Sequence, residues 1–258
     1  MVVNLSLRMK LSVIICCYNE IATIEEIIQR TQAVDLGNGW DREIIVVDNC
    51  STDGTRELLQ KIDNPEIRVL YHEKNMGKGM SIRTGINNMK GDYMIIQDAD
   101  KEYDPAEHPK FCRKVEETHA VGVYGSRILG GEVRYEYRHA YWGVKLWTSM
   151  TNILFGSHLT DVGTGTKMVR GDVAQSLNLT LTGFDLEFEL TDKVLLLGHD
   201  ILEVPINYDP RTYAEGKKIT VSDGFKILAT MFRDRLGFTA VLKENTESQP
   251  DKIVQNAS

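Results

Sequence analysis

Tyr93-Met-Ile-Ile-Gln-Asp-Ala-Asp100 is an apolar run that ends in two carboxylates, Asp98 and Asp100, with a single alanine between them. A short run of this kind, bounded by turn residues, suits a strand buried on both faces. Side chains two apart on an extended chain point the same way, so both carboxylates face one side at the strand's carboxyl end. A hard divalent cation takes such oxygen ligands and leaves room for the phosphates of a substrate. A turn rich in Asp gives the same pair for conformational reasons alone, so the pair needs support from the rest of the chain.

Outward from this strand, β-rich runs alternate with helical patterns. Leu11 to Cys16, Glu43 to Asp48, Ile67 to Tyr71 and Ala120 to Tyr124 are further strands. Ile24, Ile27 and Ile28 recur at helical spacing after Thr23, and Leu58, Leu59 and Ile62 do so after Ser51-Thr52-Asp53. The alternation predicts βαβ units and an α/β fold with a mostly parallel central sheet. Ligands of such sheets bind beyond the strands' carboxyl ends, where Asn19, Asp48, Asp98 and Asp100 all fall. Beyond residue 130 come an aromatic-rich helix, a glycine-threonine segment, a helix from about Phe184 to Leu197 and a strand from Ile201 to Ile206. The expected organisation is a single domain over 1–242, with halves 10–125 and 126–242, and a polar, aperiodic, disordered tail over 243–258.

At 258 residues and 42% hydrophobic, the chain can bury a full core. A net charge of −7 argues against nucleic acid as a partner, since no overall basic field attracts a polyanion. No run approaches the roughly 18 apolar residues that cross a bilayer, and residues 1–10 lack the apolar core of a secretory signal, so a cytoplasmic location is expected. Cys16, Cys17, Cys50 and Cys112 show no metal-ligand spacing and read as free thiols.

Four motifs occur in order: Ser12-Val-Ile-Ile-Cys-Cys-Tyr-Asn-Glu20, Ile45-Val-Val-Asp-Asn-Cys-Ser-Thr-Asp-Gly-Thr55, Asn75-Met-Gly-Lys-Gly79 and Gln97-Asp-Ala-Asp100. Together they resemble family 2 glycosyltransferases, over about residues 10–236. Gly125-Ser-Arg127, Asp100-Lys-Glu-Tyr-Asp-Pro105 and Val204-Pro-Ile-Asn-Tyr-Asp-Pro-Arg-Thr-Tyr-Ala-Glu-Gly-Lys-Lys-Ile219 are similar to the branch that glycosylates polyprenyl phosphates, that of dolichol-phosphate mannose synthase.

The resemblance implies a GT-A fold, with 10–125 as the nucleotide-sugar-binding half and 126–242 as the acceptor-side half. It implies Tyr18, Asn19, Glu20, Asp48, Lys78, Gly79, Asp98 and Ala99 at a GDP- or UDP-sugar, and Mg2+ or Mn2+ held by Asp98, Asp100 and Glu102. The reaction implied is inverting transfer of the sugar to a polyprenyl or dolichyl phosphate. The metal offsets charge on the leaving diphosphate as a Lewis acid. An acceptor phosphate is already ionised and needs cations rather than a strong base, which the resemblance assigns to Arg127, Arg138, Arg211 and Lys217; guanidinium groups suit phosphate. Asp100, Arg127, Arg211 and Glu187 are the implied catalytic set. Glu187, in the run Asp185, Glu187, Glu189, is a base if the acceptor is instead a saccharide hydroxyl, and a helix-dipole partner otherwise.

The chain departs from the family at Asn49, where a second acid is usual, and over Asp161-Val-Gly-Thr-Gly-Thr-Lys167, where relatives carry an acid and an aromatic. Both departures keep open a non-catalytic nucleotide-sugar binder. A phosphohydrolase is disfavoured by Glu102, and a sugar-nucleotide pyrophosphorylase by Cys16-Cys-Tyr-Asn-Glu20 in place of a glycine-rich loop. Tyr135, Tyr137, Tyr141, Trp142 and Trp147, mixed with Arg134, Arg138 and Lys145, suit the headgroup level of a membrane, as does the amphipathic pattern from Val221 to Phe238. Many relatives carry C-terminal transmembrane helices; this chain is expected to meet its lipid peripherally or through a small membrane partner.

Overall fold

In the computed structural model the described residues are 8–130, 138–210, 224 and 226–237, with 138–140 described by backbone alone. Arg211, Lys217, the side chain of Arg138, residues Arg134, Tyr135 and Tyr137, and the expected tail over 243–258 lie outside the described residues.

Seven strands form one sheet in the order β3-β2-β1-β4-β6-β5-β7: β1 Met9–Cys17, β2 Trp40–Asp48, β3 Ile67–Tyr71, β4 Tyr93–Asp98, β5 Gly122–Ser126, β6 Lys167–Arg170 and β7 Ile201–Pro205. β1 pairs in parallel with β2 (Val13 opposite Ile44) and with β4 (Val13 opposite Ile95), and β3 and β7 extend the parallel pairings at the two edges. Only β6 is reversed, pairing antiparallel with both β4 and β5. It begins at Lys167, the last residue of the glycine-threonine segment, where the sequence pattern predicts no strand. Lys-Met-Val-Arg is four residues long and flanked by polar positions, too short for an alternation to declare itself.

The period of two along each strand sorts the core into two layers. Leu11, Val13 and Ile15 of β1 and Ile44 and Val46 of β2 pack beneath α1 (Ile24–Ala33), α2 (Thr55–Leu59) and α4 (His108–Thr118). Ile14, Ile45, Val47, Met94 and Ile96 pack on the other face with α3 (Lys78–Asn88), α6 (Gly171–Ser176), α7 (Leu186–Leu196) and residues 226–237, α8. Helix α1 forms because Ile24, Ile27, Ile28 and Thr31 make one buried stripe, while Glu25 and Glu26 in its first turn favour the dipole. Helix α5 (Arg138–Phe155) packs against α7, with Trp147 edge-on to Phe188 at 5.6 Å.

This topology positions the site. From β1 the chain runs outward through β2 and β3, then returns to the opposite side of β1 as β4. The strand order therefore reverses between β1 and β4, and beyond the carboxyl ends at such a reversal point sheets of this kind take their ligands. Cys16 lies opposite Asp98 in that pairing, which puts the Asp98-Ala99-Asp100 corner beside Tyr18 and Asn19.

Candidate active site

At the head of β1 and β2 the backbone is stapled by side chains. Asn19, with φ at 54°, accepts from the Thr52 amide through Oδ1 at 2.8 Å, and its own amide donates to Ser51 Oγ at 2.9 Å. Glu20 donates its amide to Thr55 Oγ1 and accepts from Thr23 Oγ1. Asp53 accepts from the amides of Ile21 and Thr55 and from Thr55 Oγ1, so the turn-capping work falls to it. Asp48 is fully buried; Oδ2 accepts from Arg56 Nε at 2.6 Å and Oδ1 from the Ser51 amide. Arg56 was not singled out in the sequence, yet it is the charge that makes a buried Asp48 tolerable.

Asn49, where the resemblance leads one to expect a second acid, has a defined job as an amide. Oδ1 accepts from the Met76 amide and meets His72 Nδ1, and Nδ2 donates to Asn75 Oδ1, each at 2.9 Å. It thereby fixes the Asn75–Gly79 loop to the end of β2, a bridge that needs both a donor and an acceptor. The glycines of that loop serve packing. Gly77 has φ at 89°, and a Cβ there would collide with the Thr182 carbonyl; one on Gly79 would lie 2.6 Å from the Gly183 carbonyl. The expected close approach is made to the backbone ahead of α7, and it brings Lys78 over β4.

Lys78 Nζ lies 2.6 Å from Asp98 Oδ1 and 2.8 Å from Glu187 Oε1. Burial opposes the charge, but the two carboxylates outweigh it and hold the amine well above the ordinary lysine value. Asp100 is buried, and its Oδ1 accepts from the Glu102 amide at 2.9 Å. The Glu102 carboxylate accepts from Tyr208 Oη at 3.1 Å. The methyl of Ala99 packs into the core.

Asp98 and Asp100 flank Ala99 at the end of β4, and among the described residues no three acidic, His or Cys side chains, Glu102 included, gather into a metal cage. Two carboxylates at an open strand end fit a cation that keeps several waters and takes the remaining ligands from a phosphorylated substrate.

Arg127, buried at 6% exposure, forms a bidentate pair with Asp161: Nε to Oδ2 at 2.6 Å and Nη2 to Oδ1 at 2.7 Å. Its Nη1 donates to Tyr103 Oη, which also accepts from the Gly165 amide, and its guanidinium lies over the Tyr208 ring. The amides of Thr160 and Asp161 donate in turn to the Glu203 carboxylate. Lys167 of β6 is fully buried; Nζ donates to the Glu187 carbonyl at 2.7 Å and to Thr191 Oγ1, between the rings of Tyr124 and Phe188. Burial brings its pKa down to about 8, with Glu187, Asp192 and Asp161 opposing. Glu189 accepts from the amides of Thr180 and Leu181, so it fastens the loop before α7 and is no candidate base. Tyr103, Asp161 and Lys167 lie in segments quoted from the sequence but carry no individual role there; a lysine between threonine and an apolar pair gives no sign that it will be inside.

Residues 12–177 match the glycosyl transferase family 2. The chain belongs to that family. Within it, the chain is similar to a dolichol-phosphate mannosyltransferase of Pyrococcus furiosus, 26% identical over 81% of this chain and 59% of that one. It is equally similar to the low-salt glycan biosynthesis hexosyltransferase Agl6 of Haloferax volcanii, 26% identical over 88% of this chain and 54% of that one. This family 2 chain therefore spans little more than half the length of these curated relatives. Its fold is shared with glucosyl-3-phosphoglycerate synthase of Mycobacterium tuberculosis solved with Mn2+, UDP-glucose and phosphoglyceric acid (TM-score 0.63, 18% identity, 97% of this chain and 84% of that one). It is also shared with S. aureus TarS in complex with UDP-GlcNAc (TM-score 0.58, 18% identity, 88% of this chain and 66% of that one). The fold is GT-A, as the motif order implied.

Proposed function

We propose that this chain is a metal-dependent, inverting glycosyltransferase that moves a sugar from a GDP- or UDP-sugar to a polyprenyl or dolichyl phosphate at the cytoplasmic face of a membrane. The observation that carries the reading is that Asn19, Asp48, Asp98 and Asp100 lie at or just beyond the carboxyl ends of β1, β2 and β4, about the point where the strand order reverses, with Lys78 ion-paired to Asp98, and sheets of this kind take their ligands at such a point. The name of the Pyrococcus relative supports the lipid phosphate acceptor, and the Mn2+ and UDP-glucose in the fold relative support the donor class and the metal.

Asp98 and Asp100 are the residues that would hold the divalent cation, which supplies Lewis-acid neutralisation of the leaving diphosphate. Lys78 adds a positive charge on the same side, and Asn19 and Asn49 hold the loops that frame the base and ribose. The Arg127–Asp161–Tyr103 lattice makes a rigid wall on the acceptor side. Cations for the acceptor phosphate are then the business of that wall together with Arg138, Arg211 and Lys217.

The lipid-facing surface is assigned to α5. Trp142, Leu146 and Ile153 are exposed at 65%, 54% and 79%, and with Ser149 they form one stripe opposite the buried Val144, Thr148 and Thr151. The helix contains no acidic residue. Phe232 and Leu236 of α8 add exposed apolar surface beside Arg233 and Arg235. Exposed apolar side chains on an acid-free α5, with Lys145 beside them, match an anionic headgroup layer. No helix among the described residues is long and apolar enough to cross a membrane.

A saccharide hydroxyl acceptor is the second reading, and it needs Glu187 as a base. Glu187 Oε1 is engaged by Lys78, which places it behind the first. The deciding experiment offers UDP- and GDP-sugars with polyprenyl phosphate and Mg2+ or Mn2+ and measures label in an organic-extractable product. Product that falls on the order of 10²-fold or more in Asp100→Ala supports the reading. Donor binding with no lipid product, by contrast, moves the saccharide acceptor or a non-catalytic binder ahead.

A further inference from the structure

Lys78 sits where its own helix does not favour it. It is the first residue of α3, where the helix dipole repels a cation, and it is largely withdrawn from water. Two carboxylates outweigh both costs: Asp98 from the end of β4 and Glu187 from the first turn of α7. The origin of the side chain is fixed, because Asn49 grips the preceding loop and Gly77 and Gly79 press it against the Thr182–Gly183 backbone. Beyond Cα, the lysine keeps its rotatable bonds, so Nζ has reach while its root does not move. Asp98 Oδ1 is thus committed to an internal cation, and Oδ2 lies against Gly165, where a Cβ would approach to 2.9 Å.

One carboxylate cannot serve Lys78 and a divalent cation equally well at once. We propose that Lys78 is the resident counter-cation of Asp98, held over it by Glu187, and that it moves from Asp98 to the donor's diphosphate when a divalent cation and a nucleoside diphosphate bind together. The inference rests on the reading that this site takes a nucleotide-sugar, and it makes Glu187 a positioning residue for Lys78. A metal ion arriving alone must displace the ammonium and leave it facing only Glu187. A metal ion arriving with a diphosphate offers Lys78 a new anionic partner. The two ligands therefore help each other, and by linkage the help is reciprocal.

Mn2+ binding followed by water-proton relaxation tests this without turnover. In wild type, saturating UDP or GDP is expected to tighten Mn2+ binding by at least ~5-fold. Lys78→Met should bind Mn2+ alone at least ~5-fold more tightly than wild type and lose most of the coupling. Lys78→Arg, which keeps the charge, should bind Mn2+ alone as weakly as wild type. Glu187→Gln, which leaves the ammonium to Asp98 alone, should bind it more weakly still. An Mn2+ affinity in Lys78→Met equal to or below that of wild type overturns the proposal. If neither nucleotide binds wild type, the nucleotide-sugar reading fails and the transfer of Lys78 fails with it. That failure is told apart by the Mn2+-alone comparison, which needs no nucleotide.

Discussion

The resemblance makes Arg127 a phosphate-binding cation. In the structure its guanidinium is buried, closed as a fork on Asp161 and stacked against tyrosine. Removing one member of a buried ion pair strands the other, at a cost of about 3–5 kcal/mol, whereas replacing both with apolar groups is often close to neutral. Arg127→Met should therefore cost about that much in urea unfolding, and Arg127→Met with Asp161→Leu should recover most of it. A single substitution costing less than about 1 kcal/mol would show the pair to be wet and the wall loose. The residue type and its Gly125-Ser-Arg127 context were legible in the sequence. The partner was not, because Asp161 lies 34 positions away and the two meet through tertiary packing of the loops beside β5, β6 and β7.

At the scale of elements, α7 and α8 meet around a buried acid. Asp192 is fully buried, and neither of its carboxylate oxygens has a hydrogen-bond partner among the described residues. Burial raises its pKa to about 8, with Asp234 of α8 adding to the rise and Lys167 and Arg233 opposing it. A carboxyl that keeps its proton to about pH 8 when folded, against 3.8 when unfolded, makes the folded state the better proton binder throughout that window. Stability from this group is present at low pH and is lost as pH rises through the folded pKa. Thermal melts of the wild type should decline from pH 5 to 8, and Asp192→Asn should flatten the decline and gain on the order of 1–3 kcal/mol at pH 8. An equal decline in the variant would assign the pH dependence elsewhere. Helix α7 itself was legible from its apolar spacing, placed within two residues at its start, yet its contents were not: Glu187, Glu189 and Asp192 look alike on paper. One pairs with Lys78, one fastens the 180–181 amides and one is stranded in the core, according to which neighbour α7 packs against.

For the molecule as a whole, the α5 stripe predicts where the chain meets lipid. Vesicles containing anionic lipid should retain the wild type in flotation, and Trp142→Glu with Ile153→Glu should release it by on the order of 10-fold or more, since each charge removes buried apolar area and adds repulsion. Both side chains are exposed, so the melting temperature should stay near that of wild type. Unchanged flotation would move the lipid contact to another face.

The sequence by itself determined the strands that carry the site, because a buried parallel strand must be a short apolar run and the polar residues that follow it must lie at its carboxyl end. It also determined the corner Asp98-Ala99-Asp100 and, through the order of its motifs, the family. Tertiary structure alone decided that β6 enters antiparallel between β4 and β5, which puts Lys167 inside, and that Lys78 closes on Asp98 and Glu187. Those outcomes depend on packing between segments far apart in the chain, where a charge is buried or exposed according to the partner that reaches it, and no local pattern records the partner.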